Sequence, residues 1–182
     1  MKFYSLIFLF ILSMGGILLP RDFDSRDIPI HENGRIKPLD TFVRNQLLLI
    51  YGKRSIEPKA LPEELNSKGL SAIDWFFDIS LNPDEGDKYR IFNISNPEVV
   101  ASLGLYWNPS HLYNRKEILS GLKNQIDYIT TIQGKPEAEL TQFDTQMLKV
   151  YSNVIQYQAL SYSLSCLLPL IQIHNETIAQ SL

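Results

Sequence analysis

The feature that most constrains the fold is a spacing of seven residues between mostly apolar side chains in the last third of the chain. Two interleaved series show it: Leu140, Met147, Val154, Ser161 and Leu168, and Phe143, Val150, Tyr157 and Leu164. Such a spacing gives an α-helix one continuous packing seam. It predicts a long helix over about residues 136–168. The amphipathic helix expected over 114–133 is its simplest partner, so the two would form a C-terminal antiparallel helical hairpin.

Shorter helices are expected upstream of this hairpin, each bounded by capping residues, glycines or prolines. These signals give helices over residues 40–51, from Ser71 to Asn82, and from Asn96 to Gly104. Residues 89–94 are instead rich in strand formers. The predicted fold is therefore mainly α, with an N-terminal membrane anchor or signal, short helices, at most a small strand pair and the C-terminal hairpin.

The first twenty residues decide the expected localisation. Phe3 to Leu19 carries no charge, and Pro20 with Arg21 marks its far end. About 17 apolar residues can cross a membrane as a short helix, whereas the small residues around Gly15 also fit a cleaved signal peptide. We expect residues 1–20 to be a signal anchor, with a cleaved signal as the alternative. Residues 21–182 would then be a single helical domain, membrane-anchored on the exported side, periplasmic or extracytoplasmic.

Charge and cysteine content exclude several classes of function. The net charge of −3 argues against nucleic acid as a partner, because nucleic-acid-binding domains are clearly basic. There is one cysteine, Cys166. A single cysteine rules out an intramolecular disulfide, haem attachment through a CxxCH motif and cysteine-rich zinc sites.

No catalytic or metal-binding constellation is evident either. His31, His111 and His174 share no helix face, and no carboxylate joins them at metal-ligand spacing. Nucleophile-elbow and phosphate-loop motifs are missing. We therefore expect a non-enzymatic protein with no catalytic residue, no metal and no cofactor. An enzyme would require a pocket that joins His31 or His111 to a carboxylate.

The segment from Ile28 to Leu48 carries the densest local signals. Asn33-Gly34 indicates a tight turn, because Gly34 can adopt positive φ without steric cost. Pro38 fixes the chain before a helix, and Asp40 is predicted to be the structural cap of that helix. An extended arm, a turn and a capped helix are thus expected in succession.

Three polar residues of this arm, His31, Arg35 and Lys37, are candidate partner-binding residues. Arg35 and Lys37 alternate on an extended segment, so they would project to one face. There they could grip the backbone or the acidic side chains of a partner. The structural alternative is a salt-bridge cluster with Asp40, with His31 only a partly exposed turn residue.

The same stretch resembles a known family. Pro-Ile-His-Glu-Asn-Gly-Arg-Ile-Lys-Pro-Leu-Asp-Thr-Phe, residues 29–42, is similar to the start of the exported domain of CcsA/ResC-type proteins of system II cytochrome c biogenesis. The order and spacing of Ser71–Phe77, Tyr89–Val99 and Leu103–Leu105 are also similar to that domain. The resemblance spans about residues 28–168. The polytopic haem-handling core of the family, with its tryptophan-rich segment, has no counterpart in this chain.

The resemblance implies an accessory or assembly role in cytochrome c biogenesis. The chain would dock on a CcsA/ResC-like or ResB-like membrane protein that supplies the haem-handling core. A split system and a truncated gene product both fit this pattern. The alternative function is a generic envelope interaction module. Its aromatic loop over 106–113 and the basic patch within residues 35–59 would bind lipid, glycan or peptide, and binding would depend on Lys53 and Arg54.

Overall fold

The computed structural model describes residues 24–63 and 68–164. The chain divides into two compact units, Met1–Leu39 and Asp40–Leu182. No helix among the described residues is both long enough and apolar enough to cross a bilayer. The predicted anchor over 1–20 lies outside the described residues, as do Cys166 and His174.

The first unit contains a β-hairpin. A short 3-10 helix, Ser25–Asp27, precedes strand β1, Pro29–Glu32, which pairs antiparallel with β2, Arg35–Pro38. The two residues between the strands, Asn33 and Gly34, have φ values of 50° and 75°. Positive φ at both central residues is the signature of a type I′ turn, whose twist matches that of paired strands. The predicted extended arm and turn are therefore one hairpin.

Seven α-helices are described, and the fold is mainly helical, as predicted. In chain order they are α1 Leu39–Tyr51, α2 Ala72–Leu81, α3 Pro83–Gly86, α4 Pro97–Ser102, α5 Arg115–Asn124, α6 Ile126–Gln133 and α7 Gln142–Ser161. Two 3-10 turns, Pro58–Ala60 and Glu137–Glu139, accompany them. Ser71, Asn96 and Asn114, at the starts of three predicted helices, are N-caps: each side chain accepts a backbone hydrogen bond from the first turn of its helix.

The second unit holds two more strand pairs, so the described chain has three pairs where the sequence predicts at most one. Strand β3, Ser55–Ile56, pairs with β4, Leu70–Ser71, and β5, Phe92–Asn93, pairs with β6, Leu112–Tyr113. Each strand is two residues long and pairs with a distant segment. Local patterns do not reveal such short pairings, because the partner is selected by tertiary packing.

The two C-terminal helices differ from the prediction at their boundaries. Helix α7 begins at Gln142, because Thr141 caps it: the Thr141 side chain accepts a hydrogen bond from the N–H of Asp144 at 3.1 Å. Its described end is Ser161, and residues 165–168 lie outside the described chain. The helix predicted over 114–133 breaks at Gln125, whose side chain donates to the carbonyl of Ser102 at 3.0 Å.

Helix α7 is the central element of the second unit. It packs against α2, α4 and α6. The buried residues of its seam are Met147, Val150, Val154, Tyr157 and Leu160. Tyr128 of α6 contacts Phe143 near the start of α7, whereas Leu119 of α5 and Gln158 near the end of α7 line one surface cavity. The chain from α5 to α6 therefore runs in the opposite direction to α7.

Asp144 joins α6 to the start of α7. Its Oδ2 accepts from the N–H of Thr141 at 3.0 Å, which completes a capping box. Its Oδ1 accepts from the hydroxyl of Tyr128. The hydrogen bond from Tyr128, and after it the backbone bond from Thr141, lower the pKa of Asp144 below its ordinary value.

This pKa shift predicts a pH-dependent contribution to stability. A carboxyl whose pKa is lowered by folding stabilises the folded state above its unfolded pKa, and this stability is lost as pH falls through the folded-state pKa. We expect Asp144→Asn to lower the free energy of unfolding at neutral pH. The difference from the parent chain should shrink as pH falls below about 4, the ordinary value for an unfolded aspartate.

Urea denaturation across this pH range measures the effect. Asp127→Asn is the matched control, because Asp127 is an exposed first-turn aspartate of α6. A destabilisation by Asp144→Asn that stays constant at every pH would contradict the proposed cause.

Candidate partner-binding hairpin and aromatic groove

The register of the hairpin sorts its residues onto two faces. Directly opposite residues of an antiparallel pair lie on the same face, and neighbours along a strand alternate. The pairs Ile30 with Lys37 and Glu32 with Arg35 form one face, the charged face. The pairs Pro29 with Pro38 and His31 with Ile36 form the other, the uncharged face.

The charged face is partly neutralised internally. Lys37 Nζ forms an ion pair with Glu32 across the two strands, and both side chains are about one quarter exposed. The side chain of Arg35 is exposed and makes no hydrogen bond or ion pair with the part of the chain that the structure describes. Arg35 is thus the cation of this face that is free to meet an external group.

All four residues of the uncharged face are exposed. Ile36 is 76% exposed, which makes it the large apolar residue that this face presents to solvent. The structure therefore keeps Arg35 and Lys37 on one face, as predicted, but places His31 on the opposite one. Ile36 was missed, although its position between the two cations in an alternating segment is the signal that could have found it.

The predicted cap at Asp40 is wrong. Helix α1 begins at Leu39, so Asp40 lies inside its first turn. Strand β2 ends at Pro38 and α1 begins at the next residue, so Asp40 is too far along the chain to be the N-cap. Its Oδ2 accepts a hydrogen bond from Arg44 Nε at 2.7 Å instead. An aspartate in the first turn still interacts favourably with the helix dipole. The end of the same helix is as predicted, since the N–H of Gly52 donates to the carbonyl of Leu48.

The second candidate site lies in the second unit, in the loop between α4 and α5. This aromatic groove has a volume of about 510 Å³ and is lined by Arg90, Gly104, Leu105, Tyr106, Trp107, Asn108, Pro109, Tyr113 and Glu117. Tyr106 is 95% exposed and Trp107 48%. The ring of His111 packs against that of Trp107, with their centroids 4.8 Å apart.

Hydrogen bonds hold this loop in one conformation. The hydroxyl of Tyr113 donates to the carbonyl of Tyr106 and accepts from the N–H of Asn108, both at 3.1 Å. The Asn108 amide donates to the carbonyl of Leu112 and accepts from the N–H of Ser110, both at 3.0 Å. The loop is therefore preorganised while its two large rings face solvent.

The predicted basic patch is weaker than its sequence indicates. Lys53 forms an ion pair with Glu57, which also lies 3.2 Å from Lys59 Nζ. The hydrogen bond to Glu57 raises the pKa of Lys53. Arg54 is exposed beside this cluster. The single carboxylate of Glu57 therefore offsets one of the three positive charges of Lys53, Arg54 and Lys59.

The described residues contain no group of three or more histidine, cysteine, aspartate or glutamate side chains that could hold a metal ion. His31 belongs to the first unit and His111 to the second. Compared with known proteins, the chain matches no family model, no curated protein and no solved structure. Its function has to be inferred from its own residues.

The turn of the hairpin gives a direct test of its geometry. Gly34 has a φ of 75°, and no atom lies within 4 Å of the position that a Cβ would take. Gly34→Ala should therefore cost only backbone strain, about 1–2 kcal/mol for a side chain in the left-handed region. We expect faster amide hydrogen exchange in β1 and β2. In the control Gly134→Ala, at a φ of −81°, hairpin exchange should stay unchanged; equal exchange in both variants would contradict the assigned turn.

Proposed function

We propose that this chain is a non-enzymatic accessory protein of system II cytochrome c biogenesis that docks on a CcsA/ResC-like or ResB-like membrane partner through its hairpin. The observation that carries the proposal is the exposed, preformed hairpin over residues 29–38. It coincides with the segment whose sequence resembles the exported domain of that family. A segment that resembles part of a family and has little buried surface is better explained by recognition than by core packing.

The hairpin has the physical properties of a docking element. Its type I′ turn and cross-strand ion pair fix its shape before binding, so little conformational entropy is lost on association. The uncharged face presents Ile36 to a partner without the cost of desolvating a charge. Arg35 on the other face remains available for an acidic group.

The two faces have different expected roles. Burial of Ile36 would supply affinity through the hydrophobic effect, whereas Arg35 would supply orientation and a salt-dependent association rate. Lys37 is expected to contribute less, because its ammonium group already pairs with Glu32. This division refines the sequence-based hypothesis, which treated His31, Arg35 and Lys37 as one binding set.

Co-purification of the full chain from detergent-solubilised membranes tests the proposal. Ile36→Asp should weaken retention of the membrane partner about ten- to hundredfold, the equivalent of losing one buried aliphatic side chain. Arg35→Ala should remove most of the salt dependence of binding. Lys37→Ala should change retention least. Leu49→Asp is the matched control, since Leu49 is an exposed aliphatic residue of α1.

Two results would overturn the proposal. One is undiminished co-purification with Ile36→Asp and with the double variant Arg35→Ala/Lys37→Ala, each with unchanged melting. The other is a deletion strain whose haem-stained c-type cytochromes are normal. The first would remove the hairpin as the docking element, and the second would remove the role in cytochrome c biogenesis.

A further inference from the structure

We propose that the aromatic groove of the second unit binds a neutral oligosaccharide. The site is separate from the hairpin and does not depend on its role. It combines two exposed aromatic rings with one solvent-accessible ion pair, Arg90 with Glu117, in a cavity of about 510 Å³. That volume lies within the usual range for small-ligand sites.

The aromatic rings provide stacking surfaces. Trp107 is half exposed, and its ring is in tilted contact with that of His111. The Tyr106 side chain is almost completely exposed, although its backbone carbonyl accepts a hydrogen bond from the hydroxyl of Tyr113. One face of a sugar ring carries only C–H groups with slightly positive hydrogens, and these pack well against the electron-rich face of an aromatic ring.

The ion pair provides the matching polar contacts. Arg90 Nη2 donates to Glu117 Oε1 at 2.7 Å, and both side chains remain about one third or more exposed. The second oxygen of Glu117 accepts from the N–H of Asn114, which fixes the carboxylate in place. A sugar hydroxyl both donates and accepts, so it can bond to the guanidinium and the carboxylate together. The pair carries no net charge, so it gives a charged ligand little net attraction while it still offers a neutral ligand a donor and an acceptor.

The groove is built to bind without rearrangement. Asn108 and Tyr113 hold the loop through four hydrogen bonds to its backbone. Glu117 also belongs to the capping box of α5. A ligand therefore meets rings and polar groups that are already positioned, and this lowers the entropic cost of binding.

A protein partner fits this surface less well. The core of a protein–protein interface needs a broad apolar area. Among the described residues, the large exposed hydrophobic side chains of the groove are Tyr106 and Trp107, and exposed aliphatic residues such as Leu49 and Ile126 lie elsewhere. Two rings beside a polar pair match the alternating apolar and hydroxyl surfaces of a short glycan.

Intrinsic fluorescence can report on the groove directly. The chain has two tryptophans; Trp75 is fully buried and Trp107 lies in the groove. We expect titration of the full chain in detergent with chitotetraose, cellotetraose or maltotetraose to give a saturable change in tryptophan emission with at least one of them. A proline-rich decapeptide is titrated in parallel.

Variants that retain Trp107 test the contacts. Tyr106→Ala should weaken binding about tenfold, the loss of one stacking surface, and Arg90→Gln should also weaken it. Tyr162→Ala, at another exposed tyrosine, should leave affinity unchanged. The proposal is overturned if none of the three sugars gives a saturable signal, if only the peptide does, or if Tyr106→Ala and Tyr162→Ala bind equally well.

Discussion

The second unit depends on one buried side chain, Tyr157 of α7. Its ring lies 6.3 Å from that of Trp75 on α2 and 5.5 Å from that of Phe92 on β5, measured between centroids. Its hydroxyl donates to Asp87 Oδ1 at 3.3 Å. Burial, followed by the nearby negative charge of Asp87, raises the pKa of Tyr157. The residue therefore stays protonated and serves as a permanent donor.

A second bond to the same carboxylate completes this arrangement. Arg115 Nη1, at the start of α5, donates to Asp87 Oδ2 at 2.8 Å, and its guanidinium carbon lies 5.9 Å from the ring centroid of Tyr157. Asp87 is 7% exposed, so both of its oxygens need partners. The polar contact at Asp87 thus joins the end of α3 to α5 and α7, while the ring of Tyr157 packs against α2 and β5.

Residues next to this core hold the aromatic groove in place. Arg115 lies next to Asn114, whose side chain and that of Glu117 cap α5 reciprocally. Phe92, which contacts Tyr157, pairs with Tyr113 in the small β5–β6 ladder. The hydroxyl of Tyr113 then fixes the loop that carries Tyr106 and Trp107. The packing around Tyr157 is therefore linked to the aromatic groove through two short connections, α5 and the β5–β6 ladder.

Elements that depend on neighbouring residues in the sequence were predictable. Elements that depend on contacts with residues far along the same chain were not. The seven-residue spacing identified Met147, Val150, Val154 and Tyr157 as a buried seam, because helical periodicity alone decides which residues share a face. The break at Gln125 depends on a hydrogen bond to Ser102, and it also accompanies a close approach: a Cβ on Gly121 would lie 2.2 Å from the carbonyl of Leu103. Neither contact leaves a local signal.

The candidate site shows the same limit. The chemistry of the hairpin was visible in its residues, but its two faces are defined by the register, which the two-residue turn at Asn33-Gly34 sets. Only that register separates His31 from Arg35 and brings it beside Ile36. The pairing of Glu117 with Arg90 likewise joins residues 27 positions apart, so the polar part of the groove could not be found from spacing.

The central claim is that the hairpin faces a membrane partner. Site-specific photo-crosslinking in intact membranes tests it most directly, with the photoreactive residue placed at position 36 and, as a control, at position 162 of the full chain. The account predicts a crosslink to a haem-handling membrane protein of the CcsA/ResC or ResB type from position 36 and none from position 162. A chain that crosslinks to no such protein from position 36, or equally from both positions, would contradict it.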